Sequence, residues 1–535
     1  MRWWGWGEPH HPVEIRGLDL LRDELGLGDR LTPPVRLEDV RLPAASLPEG
    51  AARGLRSVVG EEHLREDREA LVRHAAGRSY PDLVRLRSGD GSGAPDAVVW
   101  PGSAEEVSSV LAVCGAEGVA VVPFGGGTSV VGGVEALRGS HRGAVSLDLR
   151  RLDSLSVDRT SLVASFGAGL PAPRAEARLQ ARGLTLGHFP QSFEFASIGG
   201  YVATRSAGQA STGYGRIDEK VVGVRMIAPA GPVETRTVPA SAAGPPLREL
   251  IVGSEGVLGV IVDAALTVRP LPSARRYEGW QLGSFGEGVE AFRSLEQGHA
   301  SPDVARLSDE EETRLALALS GSGSPVERLA RRYLSARAGG SWCLAIVGWE
   351  GDEATVARRA AEGRRLLRAA GGRPLGERPG RAWLRGRYDG PYLRDELLGR
   401  GLLTETLETA TTWSRIGDLH RAVGSALRDS LAARGTPPLV GCHVSHLYPA
   451  GASLYFTFLA RAEEGSELDQ WRAAKRAACD AIVAQGATLT HHHAVGRDHA
   501  EWMAAESGEL GVEALRAVKE RLDPAGIMNP GKLLP

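Results

Sequence analysis

Three glycine- and hydroxyl-rich loops along one stretch of the chain constrain its fold more than any other feature. The first is Pro123-Phe124-Gly125-Gly126-Gly127-Thr128-Ser129-Val130, directly after the apolar run Gly118 to Pro123. Adjacent glycines let backbone approach a ligand and adopt positive φ. Successive N–H groups in such a turn form a nest for an anion. The spacing is neither that of a dinucleotide fingerprint nor that of a Walker loop, and alone it fits a structural turn equally well. The second loop is Gln191-Ser192-Phe193-Glu194-Phe195-Ala196-Ser197-Ile198-Gly199-Gly200, continued by Thr204-Arg205-Ser206-Ala207-Gly208. The third is Gly253-Ser254-Glu255-Gly256-Val257-Leu258-Gly259-Val260-Ile261. Several small-residue loops suit a long ligand with a pyrophosphate and two ring systems.

Around these loops, strand and helix signals interleave from Pro95 to Pro272. Ala97 to Pro101, Gly118 to Pro123, Val145 to Leu149 and Leu162 to Phe166 read as strands, and Ser103 caps a helix with acids in its first turn. The prediction is α+β, with segments at 1–93 (helical, including Val58 to His74), 94–273, 274–489 and 490–535. In the third segment Leu344 to Trp349 and Ser453 to Phe458 are strands, and Ala354 to Ala370 and Leu468 to Gln485 are helices. Ser320 to Pro325 reads as a linker. It precedes a basic stretch, Arg328, Arg331, Arg332 and Arg337, read as a solvated helix face or a lipid-surface contact.

The 535 residues carry a net charge of -3, which gives no electrostatic case for nucleic acid. Four scattered cysteines with no C-x-x-C pair fit a reducing compartment. No secretory h-region, membrane span or peroxisomal tripeptide is seen, so cytoplasmic placement is the expectation, with peripheral membrane contact and a homodimer left open.

His491-His492-His493, in Thr490 to Arg497, is the densest chemical motif. Three imidazoles in a row suit metal binding, proton transfer or phosphate binding. The pair His443-x-x-His446 needs further ligands to hold a metal. On spacing alone, Tyr455 is a strand aromatic, Arg394 and Arg306 are surface charges, and His188 is a satisfied loop histidine.

The loops in their order, with Asp523-Pro524 and Asn529-Pro530-Gly531-Lys532, resemble the FAD-binding domain of the vanillyl-alcohol oxidase/p-cresol methylhydroxylase superfamily. That implies a two-part FAD-binding domain, an α+β cap, and FAD held by the three loops, with His188 and Ser197 lining the flavin. No His or Cys lies between Phe124 and Val134, so the FAD is expected to be non-covalent. Trp3-Trp4-Gly5-Trp6-Gly7, Ala305-Arg306-Leu307, Tyr392-Leu393-Arg394-Asp395, Thr404-Glu405-Thr406, Leu454-Tyr455-Phe456 and the triple histidine resemble the alkyldihydroxyacetonephosphate synthase family. The resemblance implies exchange of the acyl chain of acyl-dihydroxyacetone phosphate for a long-chain fatty alcohol, with no net redox change. Tyr455, His491, His492, His493 and Arg306 then take catalytic roles, and Arg394 binds the substrate phosphate. The alternative is a D-2-hydroxy-acid dehydrogenase of the D-lactate type. That branch binds a divalent metal through two histidines; here His446 matches the first and Tyr455 falls near the second, so no metal is expected.

Overall fold

The computed structural model describes residues 1–7, 15, 17–320 and 340–535. The linker from Gly321 and the basic stretch Arg328 to Arg337 lie outside the described residues.

The first half of the chain contains two main sheets. The first orders Leu64–Arg65, Ala97–Val99, Gly143–Asp148 and Val119–Phe124, the last three parallel. Helix Ala104–Glu117 joins two of these strands. Ser103 accepts the Glu106 N–H at its start, and Gly118 ends it at φ 65, a conformation that favours glycine. The second sheet is antiparallel, in the order Leu155–Asp158, Val163–Gly167, Val260–Thr267, Val221–Ala228, Gly231–Glu234. Val121, Val145, Leu147, Phe166 and Leu266 share one buried core across both sheets, as the near-continuous apolar strands demand.

The second half is built on a seven-stranded antiparallel sheet. Its order is Arg373–Gly376, Ala274–Leu282, Cys343–Gly351, Val304–Ser308, Leu439–Tyr448, Gly451–Arg461, Leu402–Thr412. Side chains alternate across a strand. Along Gly451–Arg461, Leu454, Phe456, Phe458 and Ala460 join a core with helices Phe285–Gln297, Glu353–Ala369, Ile416–Ala432 and Glu467–Ala484. Tyr455, Thr457 and Leu459 therefore face the opposite way, into a cavity.

One expectation needs correction. Val58 to His74 is not one helix: helix Glu49–Val59 ends at Gly60 (φ 87), and a short turn, strand Leu64–Arg65 and helix Arg68–Arg73 follow. Glycine at positive φ breaks the helix where charge patterning alone suggested continuity. Leu64–Arg65 pairs with Ala97–Val99 in the first sheet. The C-terminal segment packs on the first half of the chain. Met528 bridges Val121, and the Asn529 amide donates to the carbonyls of Gly133 and Glu255.

Candidate active site

A cavity of about 420 Å³ is walled by residues of both halves. The first two loops form one side, through Gly125 to Ser129, Gln191, Ser192, Ala196, Ser197, Thr204, Ser206 and Ala207. They touch each other closely. A Cβ on Gly126 would lie 1.9 Å from the Phe195 carbonyl oxygen, and one on Gly125 2.2 Å from Ser197 Oγ. Only glycine permits this approach. Among the described residues, no protein acceptor takes the backbone N–H groups of Gly125 to Ser129. A row of unengaged donors in a cradle a side chain would fill suits the pyrophosphate of FAD. Ser197 caps helix Ile198–Ala203 by accepting the Gly200 N–H. His188 sits behind the wall, fully buried, with Nε2 against Ser206 Oγ at 3.1 Å. Pro123, Phe193, Glu194, Phe195 and Arg205 likewise support the cavity and do not line it.

The other wall carries the ionisable side chains. Glu408, buried on strand Leu402–Thr412, organises the triple histidine. Its carboxylate accepts the backbone N–H of His491 (2.6 Å), His492 (3.0 Å) and His493 (2.7 Å), and the Thr490 hydroxyl (2.6 Å). Despite burial, the neighbouring imidazoles and these donors hold its pKa well below the carboxylate range. The turn continues through Ala494 (φ 74) and Gly496 (φ 55), and Val495 and Gly496 donate their N–H groups to Glu255 of the third loop. Burial pushes Glu255 up to about 7 against those two bonds. Two carboxylates, one from each half, thus clamp the histidine turn.

Wrapped this way, the imidazoles are neutral at physiological pH. Burial drives His446 and His492 down to about 3, and His491 and His493 below their usual range. His492 and His493 line the cavity and flank Tyr455, at ring separations of 6.1 and 5.5 Å. His443 stacks on Tyr455 at 4.9 Å. Its Nδ1 donates to Glu312 (2.8 Å) and its Nε2 accepts from Arg306 (3.1 Å), which also pairs with Glu312 (3.0 Å). Arg306 and Glu312 therefore fix the tautomer and orientation of the ring on Tyr455. Burial raises the Tyr455 phenol to about 12, offset in part by Thr406 and the Arg394 charge. It is a proton-bearing phenol in this setting and needs a partner to lose that proton.

Arg394 is not a surface charge. On helix Gly390–Leu398 it is 7% exposed, lines the cavity, and donates to the Arg78 carbonyl and to Glu405. Beyond it the wall turns apolar with Leu319, Leu393, Leu397 and Leu459.

Family models match both halves: a FAD binding domain over residues 95–236 and the C-terminal domain of FAD linked oxidases over 271–533. Alkyldihydroxyacetonephosphate synthase of Trypanosoma brucei brucei is 34% identical over 99% of this chain and 88% of its own. That of Dictyostelium discoideum is 33% identical over 94% and 84%. The chain belongs to the alkyldihydroxyacetonephosphate synthase family. A solved synthase structure superposes with a TM-score of 0.84 at 29% identity, covering 99% of this chain and 98% of that one. The two-part FAD-binding domain with an α+β cap follows, as does FAD as the cofactor.

Within this family member, the structure brings Tyr455, His492, His493, Arg306 and Arg394 to one cavity with the first two loops. His491 stands one layer behind. The third loop does not reach the cavity wall: Glu255 holds the histidine turn, Gly256 packs on Pro123, and Val260 and Ile261 lie in a strand. Nitrogens of His446, His491 and His492 lie within 4.8 Å of one another, a spacing within reach of a metal ion. Each ring is already engaged. His446 Nε2 meets the Gly208 carbonyl and its Nδ1 the Ser445 and Ser453 hydroxyls, while His491 meets Tyr448 and His492. His443 and His446 have separate partners and form no pair. Sequence reasoning missed Glu408, Glu312 and Tyr448. The available signal for Glu408 was a second acid, after Glu405, in an otherwise apolar and hydroxyl-bearing strand.

Proposed function

We propose that the protein exchanges the acyl chain of acyl-dihydroxyacetone phosphate for a long-chain fatty alcohol. The observation that carries the reading is one cavity with three chemistries: the FAD cradle, a phenol ringed by neutral imidazoles, and a buried guanidinium beside an apolar end. An acyl-dihydroxyacetone phosphate presents matching parts. Its phosphate suits the Arg394 guanidinium fork. Its chain suits the leucines beyond.

In the net reaction the ester C–O bond at the dihydroxyacetone carbon breaks and the acyl group leaves as a carboxylate. The alcohol oxygen bonds to that carbon, and the hydroxyl proton is released. Bound FAD, non-covalent for want of a His or Cys between Phe124 and Val134, supplies the electron-poor ring that activates the carbon. The chain's own residues bind and move protons. Tyr455, stacked on His443, exchanges the proton of the carbon beside the carbonyl and that of the incoming alcohol with His492 and His493. Arg306 and Glu312 keep His443 in place.

The test is palmitoyl-dihydroxyacetone phosphate plus hexadecanol, with the product identified by mass. Ether product without oxygen uptake supports the reading. D-lactate turnover with dye reduction, and no ether, replaces it with the dehydrogenase alternative.

A further inference from the structure

Behind the cavity wall, a hydrogen-bonded file of side chains runs away from the reacting groups. His492 lines the cavity. Its Nδ1 lies 2.9 Å from His491 Nδ1, and His491 Nε2 lies 2.6 Å from the Tyr448 hydroxyl. Neither His491 nor Tyr448 lines the cavity. Tyr448 ends strand Leu439–Tyr448 at the hairpin turn to Gly451 and is half-buried, with the partly exposed Arg216 guanidinium against its hydroxyl. The file thus leads from the cavity to a partly exposed residue at the end of a hairpin strand.

Two nitrogens of the same kind facing each other share a single hydrogen. If His492 Nδ1 carries it, His491 accepts at Nδ1, is protonated at Nε2 and donates to Tyr448. If His491 Nδ1 carries it, the phenol donates to His491 Nε2. The same atoms therefore support two complete hydrogen-bond chains of opposite polarity, which is the requirement for passing a proton along neutral groups. The Glu408 carboxylate, 3.4 Å from His492 Nδ1, stabilises the transient cation. His446, 5.0 Å from His491 between ring centres, is held by the Gly208 carbonyl and two serines and stands outside the file.

We infer that His492, His491 and Tyr448 form a proton relay from the cavity to solvent, with Tyr448 as a positioning residue that acts through His491. The inference rests on the exchange reading above, in which the proton of the carbon beside the carbonyl is removed and later replaced. That proton adds to His492 Nε2, the Nδ1 hydrogen of His492 passes to His491 Nδ1, the Nε2 hydrogen of His491 passes to the phenol oxygen, and the phenol hydrogen goes to water. Each group ends neutral with the file in its opposite polarity, and the replacement proton enters from water along the same atoms in reverse, restoring the first polarity before the next turnover.

Y448F keeps the ring and its packing but cannot pass a proton. In the holoenzyme it is expected to lower kcat about tenfold or more, with both KM values and FAD content unchanged and a larger solvent deuterium effect on kcat. H491Q is expected to do the same, and Y448F/H491Q to be no slower than the slower single variant, since one broken file cannot be broken twice. A Y448F kcat within about twofold of the parent, or single effects that multiply, would overturn the relay. A readout without turnover separates this from the exchange reading. In 15N-histidine spectra of the holoenzyme, His491 and His492 should interchange tautomers, and Y448F should fix them. Fixed tautomers in the parent protein sink the relay even if ether is formed. Interchange without ether product sinks only the exchange.

Discussion

Glu408 offers the sharpest single test of how this site is held together. Glu408→Gln changes one oxygen to an amide of nearly the same shape. In the parent, Oε1 accepts from His492, His493 and Thr490, and Oε2 accepts from His491. The glutamine oxygen can replace Oε1 and keep three of these bonds. The NH2 group then faces the His491 N–H, donor against donor. One charge-assisted bond of about 1.5–3 kcal/mol is lost and the other three fall toward neutral values of about 0.5–1.5 kcal/mol each. These terms sum to a loss of about 4.5–7.5 kcal/mol, which the removed burial cost of the charge brings down toward about 3 kcal/mol. For a cap of roughly 200 residues, 3 kcal/mol corresponds to a fall in Tm on the order of 6–12 °C. The assay is thermal unfolding of the holoenzyme followed by flavin fluorescence, alongside kcat. A histidine turn displaced by about 1 Å is expected to cost kcat on the order of 100-fold. The pH dependence adds a second arm. The folded pKa of Glu408 is depressed, so its stabilisation is present above the unfolded value of 4.5 and is lost as pH falls through the folded one. The buried neutral histidines, also depressed, lose theirs from about 6.5 downward, toward about 3 for His446 and His492. The Gln variant should keep the histidine contribution, from about 6.5 toward about 3, and lose only the Glu408 share below 4.5. A Tm within about 2 °C of the parent with unchanged kcat would refute the clamp.

Three further outcomes are expected. Tyr455→Phe should abolish ether formation while binding FAD normally, judged by the visible spectrum; retained activity removes the phenol from the chemistry. Arg394→Ala should raise KM for palmitoyl-dihydroxyacetone phosphate at least tenfold with a smaller change in kcat, because a buried guanidinium at the cavity wall binds and does not react. Gly126→Ala should yield protein largely free of FAD, since its methyl would meet the Phe195 carbonyl oxygen; a fully yellow variant would show that the first loop can open without cost.

How much of this was legible in the chain divides along a physical line. Gly125 to Ser129 and Gln191 to Ala207 could be read because close backbone approach leaves a direct trace in composition. The alternation Leu454, Tyr455, Phe456, Thr457 could be read for the same reason, since one face of a strand must be core. Gly60 and strand Leu64–Arg65 were obscured because charged residues there fit a helix face as well as an edge strand. Glu255 read as part of a phosphate loop, yet its carboxylate answers the backbone of residues 495 and 496, some 240 positions away. Glu408 and Tyr448 left no local sign, because their roles exist only once strand, hairpin and histidine turn converge. Anion cradles are built from contiguous backbone, so sequence displays them. Clamps and proton paths are built from single side chains on separate elements, and only the assembled fold brings them into one line. For that reason a relative that keeps Tyr455 and the three histidines but lacks an acid at the Glu408 position should fail to hold the turn. In this chain the same reasoning makes Glu408, more than any one imidazole, the residue on which the histidine wall depends.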